Sequence, residues 1–425
     1  MYTQQSAFMY NEPFPQEQEG QSGLPTESPL YSLRSQIAQD ASSVAPKAHY
    51  WWKRIFVGTG ILIAVLVVAF YTLPYILNLI TSDILPIDDS DLIPVARVVS
   101  DTENGFRFVE PLNTEVKRTG LTNVVLDDLL KNQDTEKTRL LLEENRNALD
   151  LFQKIADAPV YQDPALGDPS QYSYNTVITP LGDMRQLTRL SLLDAYVAFA
   201  GGNATATVVA IVRPLRVADN IASPNTNLIT VLVAMVMYKR VYDELGLWID
   251  NGLMDKQTLE QVFMSLKSHG VPDFRDSLVS AYKGEYVLMR NLLQNIGATG
   301  KDVRTFICAG LSEEECDSEI AGGSMTSLLQ GSYYFRPNET MASYANLSRV
   351  NIEVIDQYCE SPRPPVYETW HVPSPAIRLV LEENAIGKMF YSVWSSGSPE
   401  GVIKRSCELK EKYAQLMKSL EGVQP

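Results

Sequence analysis

The chain has 425 residues, 45% of them apolar and 20% charged, enough for one or two globular domains with a sizeable core. Its formal net charge is −15. Residues 1–54 carry five acids against Arg34, Lys47, Lys53 and Arg54, and residues 55–80 carry no charge, so the acidity falls on residues 81–425 and excludes nucleic acid as a partner, because phosphate binding needs clustered cations.

In chain order, residues 1–50 come first, with Pro13, Pro15, Pro25, Pro29 and Pro46, many Gln and Ser, and few aliphatics. This composition predicts a disordered tail. The stretch "WWKRIFVGTGILIAVLVVAF" opens the next element, and Ile55 to Ile80 is free of charge. About 20 helical residues cross a ~30 Å hydrocarbon core, so residues 51–80 are read as one transmembrane helix. Trp51, Trp52, Lys53 and Arg54 fit one interface, and Tyr71 and Tyr75 fit the other. A cleaved signal has a short n-region, a shorter apolar run and a small-x-small cleavage site. Here 54 residues precede the run and "NLITSDILP" follows it, so the span is read as an uncleaved signal-anchor. Cations before the span and Asp83, Asp88, Asp89 and Asp91 after it place the N-terminus in the cytoplasm and residues 81–425 outside the cell (inner) membrane, in a periplasmic or equivalent space.

Residues 81–99, including "DILPIDDSDLIPVA", read as a solvated Pro/Asp juxtamembrane linker. The Asp cluster lacks the Gly and distal Glu of an EF-hand loop. From about residue 100 the periodicity is helical, and no strand-like alternation of useful length occurs. Residues 135–158 predict one amphipathic helix burying Leu141, Ala148, Phe152 and Ile155. Residues 160–180 read as a loop. An αα-hairpin over 187–219 turns at Gly201-Gly202-Asn203, and Pro214 is expected to kink its second helix. A helix of about 20 residues follows Ser223-Pro224, and "LITVLVAMVMY" within it is too short to span and reads as buried core. Further helices are expected at 256–268, 273–296, 338–358, 374–395 and 399–420. The fold class is all-α: one transmembrane helix followed by an irregular helical extracytoplasmic domain over 100–425.

All four cysteines, Cys308, Cys316, Cys359 and Cys407, lie on the outer side, where an even number predicts two disulfides with three connectivities open. The short Gly-containing loop "CAGLSEEEC" favours Cys308–Cys316, leaving Cys359–Cys407 to tie two later helices. With no C-x-x-C and only His49, His269 and His371, no metal site is expected.

The hairpin resembles a tetratricopeptide unit at its "GGNAT" turn and at Ala195, but Thr207 and Pro214 stand where alanines are usual and no second copy is visible. The wider chain is similar to a group of uncharacterised bacterial proteins with one N-terminal span and a helical extracytoplasmic domain. The stretches that carry this similarity are "DDSDLIPV" (88–95), "AYKGEYVLMRNLL" (281–293), "FRPNETMASYANL" (335–347) and "ENAIGKMFYSVW" (383–394). The resemblance implies a place and a shape but no activity.

Motifs for chemistry fail. "NIGATGKD" (295–302) lacks the first Gly and the final Ser/Thr of a P-loop. There is no G-x-S-x-G and no H-E-x-x-H, and His371 in "ETWHVPSPA" reads as a packed loop residue. No catalytic residue, metal ligand or cofactor is expected. Leu409, Tyr413, Leu416 and Leu420 form a stripe that packs on its own domain or, alternatively, makes a homodimer seam through 402–420. The expected function is a membrane-tethered helical interaction or scaffold protein that meets other envelope proteins. The alternative is an enzyme that hydrolyses envelope polymers with an unidentified pair of carboxylates.

Overall fold

The computed structural model describes residues 31–118, 122–132, 135–172, 181–224, 226–299, 335–357, 359, 383–395 and 399–422. The described residues are mostly helical and contain no strand; Asn104 and Val160 form one isolated bridge. The chain divides into two units, residues 1–71 and 72–425.

Helix α1 (Tyr31–Ile80) occupies the described part of the first unit and enters the second. Within it, Lys53–Ile80 is long and apolar enough to cross a membrane, and its most apolar window is not buried. Residues 31–50, expected as disordered tail, are helical.

The second unit is built on two apolar cores. The larger takes side chains from α2 (Val109–Glu115), α3 (Asn123–Asn132), α4 (Thr135–Glu144), α5 (Arg146–Asp157), α6 (Gly182–Ala200), α7 (Ala204–Ile221), α8 (Leu228–Asp250), α9 (Lys256–His269), the start of α10 (Arg275–Thr299) and α13 (Glu400–Gly422). The single helix expected over 135–158 is two helices. Asn145, fully buried between them, accepts the Lys117 amide at 3.0 Å through Oδ1 and donates to the Leu141 carbonyl at 3.0 Å. A side chain that bonds backbone groups in this way competes with the helical ladder and ends it locally. The expected face is still buried: Leu141, Ala148, Phe152 and Ile155 all lie in the core.

Helix α7 is central, packing against α5, α6, α8 and α9. Its start follows from the turn: Gly202 adopts φ +73°, and Asn203 caps the helix by accepting the Ala206 amide at 3.0 Å. Pro214 does not end the helix, which runs on to Ile221. Proline cannot donate to the carbonyl four residues back, here Ala210. That carbonyl instead accepts the buried Ser191 hydroxyl of α6 at 2.8 Å. Arg213 donates to the same hydroxyl oxygen at 3.2 Å and also reaches Asp194 on α6 and Gln153 on α5. The proline defect in α7 is thus answered by its neighbour.

Helix α8 begins at an Asn227 cap and buries Ala234, Met235, Met237 and Tyr238, so its apolar run is core. In α13, Leu409, Tyr413, Leu416 and Leu420 are all buried in the larger core, and the helix packs on α8 and α9. A homodimer through 402–420 would have to use other residues of this helix.

The smaller core gathers Leu92, Tyr172, the later half of α10 (Tyr286, Val287, Met289, Leu293), Met341 and Ala345 of α11 (Pro337–Gln357), and Ile386 and Phe390 of α12 (Ala385–Ser395). Helix α12 was expected to begin at 374; residues 374–382 lie outside the described residues.

Candidate functional site

The smaller core joins four stretches singled out in the sequence: 88–95, 281–293, 335–347 and 383–394 each supply side chains to it. The segment after α1 is the first of these, and it is not a solvated linker. Its carboxylates turn onto the helices. Asp83 accepts the Asn338 and Glu339 amides at 2.7 and 3.1 Å. These are orphan donors in the first turn of α11, so Asp83 caps that helix from a distant part of the chain. The Asn338 side chain returns a bond to the Ile84 carbonyl at 2.8 Å.

Six residues after Asp83, Asp89 accepts the Tyr286 hydroxyl at 2.7 Å and pairs with Arg290 at 3.1 Å, both on α10. Asp91 is gripped by Arg349 of α11 through two bonds, at 2.9 and 2.7 Å, while the same guanidinium donates to the Asp88 carbonyl at 3.0 Å. Such a fork fixes direction as well as distance. The Arg349 hydrogen bonds hold the Asp91 carboxyl below the usual range, and the Ser90 amide does the same for Asp88. Leu92 inserts between, 1% exposed. Residues 83–92 are therefore a clasp. Solvated Asp was the expectation because Asp and Pro usually mark loops, but here the carboxylates of Asp83, Asp89 and Asp91 have donors 197 or more residues away, and only that of Asp88 is bonded locally, to the Ser90 amide.

Under the clasp, Tyr286 and Tyr344 stack with centroids 5.8 Å apart and 12° between planes. Burial raises both phenols, and for Tyr286 the bond to Asp89 adds to it. Neither is a base or nucleophile at neutral pH. At the start of α12, Asn384 is fully buried at φ +53° and accepts the Arg336 amide at 2.9 Å. Asparagine tolerates this conformation better than most residues. Arg336 pairs with Glu339 at 3.1 Å and with Glu383. Gly387 lies under Thr340 and Asn384, and a Cβ there would overlap both side-chain oxygens.

Two other groupings hold titratable side chains shifted by burial. Tyr238 (α8) donates to Asp219 (α7), while His269 Nε2 of α9 lies 2.7 Å from the Tyr238 oxygen and 3.0 Å from Asp219 Oδ2. The phenolic proton goes to Asp219, so Nε2 is the donor to the other two oxygens. Burial, then Asp219, drives the Tyr238 phenol well above its ordinary value. With a phenol that stays protonated, the trio ties the C-terminal ends of α7 and α9 to the middle of α8. The second grouping is Glu244 and Glu285, both raised chiefly by burial. Glu285 accepts the Leu228 amide at the start of α8, while Glu244 lies 16 residues along that helix, roughly 24 Å away at 1.5 Å per residue. A glycosidase pair needs a separation of about 5–9.5 Å.

Of the interface residues expected from sequence, Trp51, Lys53, Arg54, Tyr71 and Tyr75 lie exposed along α1, and the Trp52 side chain lies outside the described residues. Trp51 and Tyr71 are 20 residues apart on the helix, about 30 Å of rise. Cys359 is bonded to Cys407 of α13, with an S–S distance of 2.08 Å. Cys308, Cys316 and His371, and the end of "NIGATGKD", lie outside the described residues. Sequence reasoning missed the clasp; the signal was an excess of Asp in a segment that also holds Leu92 and Ile93. Compared with known protein families, characterised proteins and solved structures, the chain matches none.

Proposed function

We propose that this protein is a membrane-tethered helical interaction protein, anchored by α1 with its N-terminus in the cytoplasm and residues 81–425 in the periplasm or an equivalent space. Its place is the cell membrane, its partners are other envelope proteins, and its affinity is with the bacterial group resembled by the four stretches that meet in the smaller core. The cations before the apolar segment and the acids after it support the orientation.

The clasp is the observation that carries the reading. Ordering a backbone residue costs roughly 1–2 kcal/mol, so folding residues 83–92 onto α10 and α11 is unfavourable unless many contacts offset it. An enzyme that only needs to be near a membrane does as well on a flexible polar linker. Three carboxylates and Leu92 instead remove that freedom, as suits a domain that must present a surface in a fixed way. The wide separation of Glu244 and Glu285 supports this reading over the hydrolase.

Cross-linking in native membranes with the full chain, followed by purification, tests it. The expected result is a defined envelope protein, lost when Asp91→Ala and Arg349→Ala loosen the clasp. Recovery of no protein, together with release of sugar or peptide fragments by the purified chain, would overturn the reading in favour of the enzyme.

A further inference from the structure

Among the described residues of this acidic chain lies a cationic recess. Between α6 and α8 a cavity of about 150 Å³ is lined by Arg185, Thr188, Arg189, Lys239, Arg240 and Asp243, with Val236 and Met237 among them. The surrounding ion pairs do not balance. Asp127 of α3 serves both Arg189 and Arg240, at 3.0 and 2.7 Å. Glu244 takes Arg240 again, at 3.4 Å. Asp243 serves both Lys239 and Lys412 of α13. Among the described residues Arg185, which is exposed, has no acid partner. Five cations thus meet three carboxylates, a local excess of +2 in a chain of net charge −15. In addition the Arg240 Nε donor is buried with no acceptor among the described residues. Burial also pushes Glu244 toward its neutral form, which weakens the one carboxylate shielded enough to compensate Arg240.

We propose that the α6–α8 recess binds a small oxyanion of charge −2 or more, a phosphate or a short dicarboxylate, with Arg185 as the open arm that closes on it. The size agrees: a recess of about 150 Å³ has room for a small oxyanion such as a phosphate or a four-carbon diacid. A planar guanidinium with free donors is the group best suited to grip two oxygens at once. Cations concentrated in a recess also focus the field at its mouth, even where the rest of the surface repels anions. The bound anion would draw α6 and α8 together at Arg189 and Arg240, which already share Asp127. This site is independent of the clasp and of any catalytic reading.

The test is calorimetric titration of the full chain in detergent micelles with inorganic phosphate and, separately, with succinate, at constant ionic strength. Saturable one-to-one binding of either probe with a Kd below about 1 mM is expected. Arg185→Ala should weaken it by about tenfold while leaving the melting temperature without anion unchanged, because Arg185 makes no ion pair in the fold. Arg185→Lys should fall between, since the charge stays and the fork is lost. No saturable heat with either probe up to about 10 mM, or equal affinity in Arg185→Ala, would overturn the proposal and leave the recess as a structural ion-pair network.

Discussion

Ser191 and Pro214 should be energetically coupled, and the coupling can be worked from the structure. Ser191→Ala removes the side-chain donor to the Ala210 carbonyl, which Pro214 cannot serve. A buried carbonyl left unpaired costs about 1–3 kcal/mol. Arg213 loses its bond to the same hydroxyl but keeps Asp194 at 3.3 Å and Gln153 at 2.7 Å, so its share is small. The sum expected for Ser191→Ala is about 2 kcal/mol. In a Pro214→Ala background residue 214 again has an N–H, which donates to Ala210 in the normal helical ladder. The same Ser191→Ala should then cost about 0.5–1 kcal/mol, an ordinary hydrogen-bond value. The coupling is therefore on the order of 1–1.5 kcal/mol, and the double-mutant cycle cancels any cavity left by the proline ring. The assay is denaturant unfolding of all four variants in micelles, followed by far-ultraviolet circular dichroism, with unchanged slopes as the condition for comparing midpoints. Equal costs in the two backgrounds would refute the reasoning, because they would mean that the hydroxyl is not replacing the proline's missing donor.

Four further outcomes follow from single contacts. Gly387→Ala should destabilise by about 2 kcal/mol or more, seen in thermal melts, because the new methyl overlaps Thr340 and Asn384 and both are held by hydrogen bonds; an unchanged melt would show that the α11–α12 joint can open. The Asp91 carboxyl is held down by Arg349, so its contribution is present above the unfolded value near about 3.9 and is lost as pH falls through the folded one. Amide protection factors across residues 88–93, which correct for the intrinsic pH dependence of exchange, should therefore be flat at neutral pH and fall below about pH 4, and Arg349→Ala should abolish the step. Glu285 is raised by burial despite the Leu228 amide, so the wild type should lose stability as pH rises through the folded value, and Glu285→Gln, which keeps an acceptor, should remove that slope, whereas Glu285→Ala should cost about 1 kcal/mol at the α8 start. Reducing Cys359–Cys407, which closes 48 residues, should cost up to about 4 kcal/mol in the loop-entropy account, and thiol titration of the unreduced, denatured chain should read near zero. Four free thiols would contradict the reading of two bridges.

What this sequence determined by itself was local. An uncharged run of 26 residues can only be accommodated as a long apolar helix, and α1 carries it without burying its most apolar window. Period-3.6 patterning set most of the helices and their buried faces, because a side chain's position around a helix depends only on its neighbours in sequence. The Gly202 turn and the Asn203, Asn227 and Asp255 caps were of the same kind. The break at Asn145 needed the Lys117 amide, 28 residues away, to be brought alongside. The clasp needed more, since Asp83, Asp89 and Asp91 read as solvent-facing until α10 and α11 deliver Tyr286, Arg290, Asn338 and Arg349 to them. The α6–α8 recess likewise exists only because two helices set their cations on one wall. A charge in a sequence has no partner until the fold assigns one, and that assignment is made by packing over hundreds of residues. A helix long and apolar enough to cross a membrane was legible in the chain; the partners of its charged side chains were left to the tertiary structure.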